Sequence, residues 1–230
     1  MNKKVQALAV SGVLTVGVIG GTLAWFTSQD KATNTFNTAS NSDNNGSGIK
    51  IIEEFEKPEN MLPGDNVNKD VQVKNTTTYD QFIRVKFIPK FVKVTKDGSG
   101  NEVREAIAEV NGQKLDTGNI ELNVVKKNVN ESKNSGTWFD GKDGYYYYMG
   151  KVAPDQFTNT LLDSVTLASN AGNEYRGLGF DVDVEAESIQ ASNNAYADWV
   201  KSDELKDIFK NLQNQSAVSP TDSEEPNQKN

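Results

Sequence analysis

The sequence predicts a mainly β chain, an antiparallel β-sandwich with short C-terminal helices, on three observations. Apolar residues alternate with polar ones through several segments after residue 60, including "NVNKDVQVKN", "QFIRVKFIPKFVKV" and "GFDVDVEAESI". Turn-forming clusters such as "LPGD", "KDGSGN", "VNGQ" and "DGKDG" separate those segments. From about Asn194 the apolar spacing changes from two residues to three or four. A period of two marks half-buried strands, and short strands divided by glycine-rich turns mark a sandwich.

Taken in order, "LPGD" sets Pro63 and Gly64 at the central positions of a type II turn, where the second residue needs positive φ. The strand after it carries Val67, Val71 and Val73 at one parity, with Lys, Asp and Gln read as lying between them. In the next, Ile83, Val85 and Phe87 alternate with Phe82, Arg84 and Lys86, and Pro89 marks a bend, bulge or edge. Residues 102–110 form either a strand or a short helix, because Val103, Ile107 and Val110 also match helical spacing. "NIELNVV" and "YYYYMGKV" read as strands, and adjacent tyrosines of Tyr145–Tyr148 must face opposite sides, which suits core packing. The strand at 179–189 alternates Phe180, Val182, Val184 and Ala186 with Asp181, Asp183 and Glu185. Tyr196, Trp199 and Val200, then Leu205, Ile208, Phe209 and Leu212, mark helices that cover a sheet face or edge, with Ser202 as N-cap. Residues 215–230 are polar, acidic and proline-containing, the composition of a disordered tail.

The N-terminus has a different character. Lys3 and Lys4 precede an apolar run whose core is Ala7 to Ile19, followed by Gly20 and Gly21, with Thr22 and Ala24 as small residues at the exit. A positive start, a short apolar core and a small-residue exit describe a secretory signal peptide, cleaved between Ala24 and Trp25. The competing reading is an uncleaved anchor, since such a run also approaches bilayer length. Four segments follow: a signal peptide at 1–24, an N-terminal strand and flexible arm at 25–48, the sandwich with its helical cover at 49–214, and the tail at 215–230.

Composition narrows function. The formal charge is −8, and removing residues 1–24 takes away two lysines and no acid, so the mature chain is more acidic still. Such a chain avoids nucleic acid and anionic lipid, and membrane contact is confined to the signal peptide. It contains no cysteine and no histidine. Disulfides are therefore absent, and the imidazole and thiolate ligands of zinc hydrolases, like the imidazole base of the common nucleophile triads, are missing. No cofactor is indicated. Asp43, Asn45, Ser47, Gly48 and Glu54 have the spacing of a calcium loop, but Lys50 stands where an aliphatic belongs and "GIKIIEEF" reads as a strand.

Four stretches carry a family resemblance. "GGTLAWFTSQDKATNTF" resembles the signal-peptide exit of the TasA and camelysin family of Gram-positive biofilm matrix proteins, which a dedicated signal peptidase, SipW, releases. "MLPGDNVNKDVQVKNTTTYDQFIRVKF" resembles that family's strand, turn and Arg-centred strand, and "DGYYYYMGKVAPDQFTNTLLDSVTL" with "VEAESIQASNNAYADW" is most similar to its clostridial BsaA branch. The resemblance implies a jelly-roll sandwich, secretion into the extracellular matrix, and a homopolymeric fibre in which each subunit donates an N-terminal strand to the next. It also implies a peptidase activity described for part of the family, from which a chain without histidine departs.

The residues accommodate a donated strand. After cleavage the chain starts "WFTSQDKATNTFNT", with Phe26, Ala32 and Phe36 at one parity and threonines at the other; an edge strand of its own sandwich is the alternative. Backbone pairing yields ~1 kcal/mol net per hydrogen bond, while ordering costs ~1–2 kcal/mol per residue. Apolar anchors must supply the surplus, at ~1.5–3 kcal/mol each when fully buried, and Trp25, Phe26 and Phe36 are the candidates.

Overall fold

The computed structural model describes residues 27–32, 48–55 and 62–218, and the description below is confined to them. Its strands are β1 (Thr27–Ala32), β2 (Ile49–Phe55), β3 (Asn66–Asn75), β4 (Gln81–Lys96), β5 (Glu102–Ile107), β6 (Glu109–Val110), β7 (Gln113–Lys114), β8 (Ile120–Val124), β9 (Trp138–Asp140), β10 (Tyr146–Tyr148), β11 (Leu162–Leu167) and β12 (Gly179–Gln190). Two helices follow, α1 (Tyr196–Trp199) and α2 (Asp203–Gln213). One sheet has the order β1-β12-β4-β10-β9, with β5 added to β4; the other has the order β2-β3-β11-β8, and β6 and β7 form a small hairpin. All pairings between these strands are antiparallel. The predicted antiparallel sandwich with C-terminal helices is what the chain forms.

The alternating rows fill the space between the sheets. Val67, Val71 and Val73 of β3, Ile83, Val85 and Phe87 of β4, and Phe180, Val182, Val184 and Ala186 of β12 belong to one buried cluster, with Trp138 and Leu162. The tyrosine run splits by parity as read: Tyr148 joins this cluster with Tyr146 against it, while Tyr147 joins a second cluster with Tyr145 against it. That second cluster lies on the outer face of the β12-containing sheet, where Phe82, Tyr147 and Ile189 meet Tyr196, Trp199, Leu205, Phe209 and Leu212. Ser202 caps α2 by accepting from the Leu205 amide, and Asp203 and Glu204 in its first turn suit the helix dipole.

At the "LPGD" turn the Asp65 amide donates to the Leu62 carbonyl, and Gly64 has φ of 94°, a conformation that favours glycine. Pro89 sits in β4 opposite Val182, between the residues paired with β10 (Arg84 and Val85) and those paired with β5 (from Phe91). A residue without an amide hydrogen is tolerated where the strand changes partner.

Two sequence readings are corrected. Residues 102–107 form a strand, not a helix, because β10 pairs with β4 only at Arg84 and Val85 and leaves the rest of that edge, from Phe91 on, to β5. Lys69 does not lie on the polar face of β3: it shares the parity of Val67, Val71 and Val73, and its side chain is fully buried with Nζ 3.2 Å from Glu53 Oε2. Of the tail, residues 215–218 are described; the Val218 amide donates to the Lys151 carbonyl, and its side chain fills the space beside Gly136 and Gly150 that a Cβ would need.

The sandwich has two ends. The upper one gathers the 76–80 turn, the start of β2, residues 151–157 and the 191–195 turn. The lower one gathers the 62–65 turn, the β4–β5 hairpin, and the segments leading into β8 and β12.

Candidate strand-exchange edge

β12 lies between β1 and β4 in its sheet. One side of it pairs with β4 over its whole length, from Gly179 opposite Val92 to Gln190 opposite Gln81. Its other side pairs with β1, from Thr27 opposite Ile189 to Ala32 opposite Val184. In a single chain the N-terminal strand therefore closes its own sheet. The register sets positions 28, 30 and 32 across from Ser188, Ala186 and Val184, all buried in the inward row of β12. Ala24, Trp25, Phe26 and Phe36 lie outside the described residues, as do Asp43, Asn45 and Ser47 of the calcium-like spacing; Glu54 of that set lies in β2 opposite Asp70.

Charge holds β12 in place from its outer face. Arg84 of β4 donates to Glu187 Oε2 through Nε at 2.9 Å and Nη2 at 2.6 Å, and to the Trp199 carbonyl at 2.8 Å. Its guanidinium lies 4.0 Å from the Tyr145 ring centre and 4.6 Å from that of Trp199. Tyr145 and the Trp199 indole also donate to Glu187. Sheet and α1 are thereby joined through one ion pair. Burial alone pushes the Glu187 carboxyl up, but the Arg84, Tyr145 and Trp199 hydrogen bonds outweigh it and hold it below the ordinary 4.5. Farther along, Lys90 bonds both oxygens of Asp183 at 3.0 Å, and Arg104 pairs with Asp181 at 2.7 Å and Glu102 at 2.8 Å. Asp181 and Asp183, outward on β12, are buried because β5 and β4 present Arg104 and Lys90 to them.

Sequence reading missed this latch. Its signal was present in the alternate charges of the two strands, Arg84, Lys86 and Lys90 against Asp181, Asp183, Glu185 and Glu187, but pairing them requires the register. A depressed folded pKa means that the Glu187 contribution is fully present above the unfolded value and is lost as pH falls through the folded one. Acid titration of unfolding free energy should show the Glu187→Gln chain losing less stability below pH 4.5 than the unmodified chain. Parallel curves in acid would remove the latch from the acid response.

Residues 1–111 match the family model described as camelysin metallo-endopeptidase. Over those residues the chain is similar to the camelysin family. The match runs through β1 to β6 and so includes β1, the arm, and the β4 strand that carries Arg84. Comparison with curated proteins and with solved structures returns no match. The family description implies a metal, and the residues of this chain do not fit a zinc peptidase centre: histidine and cysteine are absent from the whole sequence. Among the described residues no three carboxylates group as metal ligands, and Asp181, Asp183 and Glu187 are bonded to Arg104, Lys90 and Arg84. No helix among the described residues is long and apolar enough to cross a membrane.

Proposed function

We propose that this chain belongs to the camelysin family and is a secreted structural subunit of an extracellular biofilm-matrix fibre, polymerised by each copy laying its β1 on the β12 edge of the next. Support comes from one observation above all: β1 is paired to the body through β12 alone among the described strands, and only residues 33–48 connect it to β2. That connection reaches roughly 50 Å when extended, enough to carry β1 to a second molecule. The closed and exchanged forms make the same backbone pairing, so exchange costs little beyond bringing copies together. Processing by a SipW-type signal peptidase after Ala24 would free the strand, and the BsaA-like stretches favour the clostridial branch. Electron microscopy of the purified chain lacking residues 1–24 should show filaments. A chain that stays monomeric at all concentrations and after seeding would overturn the proposal.

The family description favours a second reading, a secreted peptidase. On the donor set present, the purified chain should leave casein intact, and a chelator should not change its assembly. Chelator-sensitive cleavage abolished by a point substitution in this chain would establish the peptidase reading instead.

A further inference from the structure

The geometry points to an end-to-end seat between successive copies, in which the β4–β5 hairpin of one molecule docks into a cleft at the upper end of the next. This deepens the strand-exchange proposal and rests on it. Strand direction sets which ends meet most readily. β1 starts at the upper end, opposite Ile189, and runs downward to Ala32 opposite Val184, whereas β2 starts again at the upper end with Ile49 opposite Asn75. When β1 lies on another molecule, residues 33–48 must run from the lower part of the acceptor to the upper end of the donor. That connection is shortest when the acceptor's lower end faces the donor's upper end. An arm of this length also keeps the two surfaces at high effective concentration, so a modest seat suffices.

Both ends carry unburied apolar surface suited to such a contact. Leu62, Val94 and Val103, exposed by 62%, 39% and 43%, lie at the lower end, and Tyr79, exposed by 37%, lies at the upper one. The β4–β5 hairpin projects there: β12 first pairs at Gly179 opposite Val92, so residues 93–96 extend beyond it with β5 as partner. Val94 pairs with Arg104 and Val103 with Thr95, which puts the two valines on opposite faces of the hairpin. The tip is preformed, since Asp97 accepts from the Ser99 and Asn101 amides at 2.8 Å, and it is slim, with nothing within 4 Å of a Cβ added at Gly98 or Gly100. At the upper end, Tyr79, Asp80, Lys151, Ala191, Ser192 and Gln213 line an open cleft of about 330 Å³. Asp80 and Lys151, 3.2 Å apart, supply both signs of charge to a hairpin that carries Lys93, Lys96 and Glu102. An apolar anchor ringed by polar groups is the usual anatomy of a protein contact.

The absence of cysteine makes the test clean. Fibres of the Ser99→Cys/Ser192→Cys chain, oxidised and run without reductant, should give a ladder of covalent multimers. Each single variant should give dimers at most, and Ser99→Cys/Asp163→Cys, with its second thiol on the side of the sandwich, should give no ladder. Val103→Asp should slow elongation about tenfold while leaving monomer melting unchanged, because a charge replaces an exposed apolar contact. Normal fibres without a ladder, or elongation of Val103→Asp at the unmodified rate, would overturn the seat and leave strand exchange standing. Absence of fibres from the unmodified chain would overturn both.

Discussion

Deleting Trp25–Thr38 is expected to abolish fibre extension while leaving a folded monomer. The deletion removes β1 and bares the backbone of β12 from Val184 to Ile189, but leaves the β4–β12 pairing, the Arg84–Glu187 latch and the helical cover in place. Backbone pairing and ordering cost nearly cancel over a short strand, so melting should fall moderately and not catastrophically. The newly bared edge is also a template for non-specific pairing, so the measurement belongs at low protein concentration. A synthetic peptide of residues 25–38 should bind the truncated chain, raise its melting temperature and restore a capped monomer. Phe26→Asp or Phe36→Asp in that peptide should weaken binding, because the anchors supply the surplus over the ordering cost. Truncated chain that still extends fibres would exclude N-terminal strand donation. Truncated chain that is unfolded and does not respond to the peptide would make β1 an integral part of its own sandwich.

The strands were legible wherever one face was buried and the other wet. Ile83, Val85 and Phe87 of β4 and the apolar row of β12 entered the inter-sheet cluster as their alternation implied. Helix α2 was legible because Leu205, Phe209 and Leu212 recur at helical spacing behind a serine cap. Three features were not, and for physical reasons. Residues 102–107 have few apolar side chains to set a period, and the unpaired backbone of β4 decides their conformation. Lys69 was assigned by residue type and not by parity, although its odd-numbered position beside Val67 and Val71 puts it inside. The latch depends on register, which fixes that Arg84 lies opposite Glu187, and no local pattern encodes that.

Lys69 carries the largest effect expected of a single substitution. Its ammonium is fully buried between the sheets, with Glu53 of the neighbouring edge strand 3.2 Å away. Burial pulls its pKa below the ordinary 10.5, against the opposing pull of Glu53 and the more distant Asp183 and Asp181. Lys69→Ala removes the cation that Glu53 faces, and breaking a buried pair costs about 3–5 kcal/mol. Replacing both members, as in Lys69→Met with Glu53→Leu, should restore most of that stability or exceed it, because two desolvated charges give way to apolar packing. An inward charge pair at an edge strand also disfavours β2–β3 pairing in a shifted register. The pH response follows from linkage. With a folded pKa below the unfolded one, the unfolded chain holds a proton that the folded chain gives up, so stability from this site rises with pH up to about 10.5. Tyr147 acts oppositely: burial, with the hydrogen bond to Asp143, pushes its hydroxyl up to about 12, so its contribution falls above pH 10. Subtracting the Lys69→Met curve from that of the unmodified chain cancels the tyrosine and isolates the lysine slope. A flat difference between neutral pH and 10.5 would mean that Lys69 keeps its proton in the folded chain as firmly as in water.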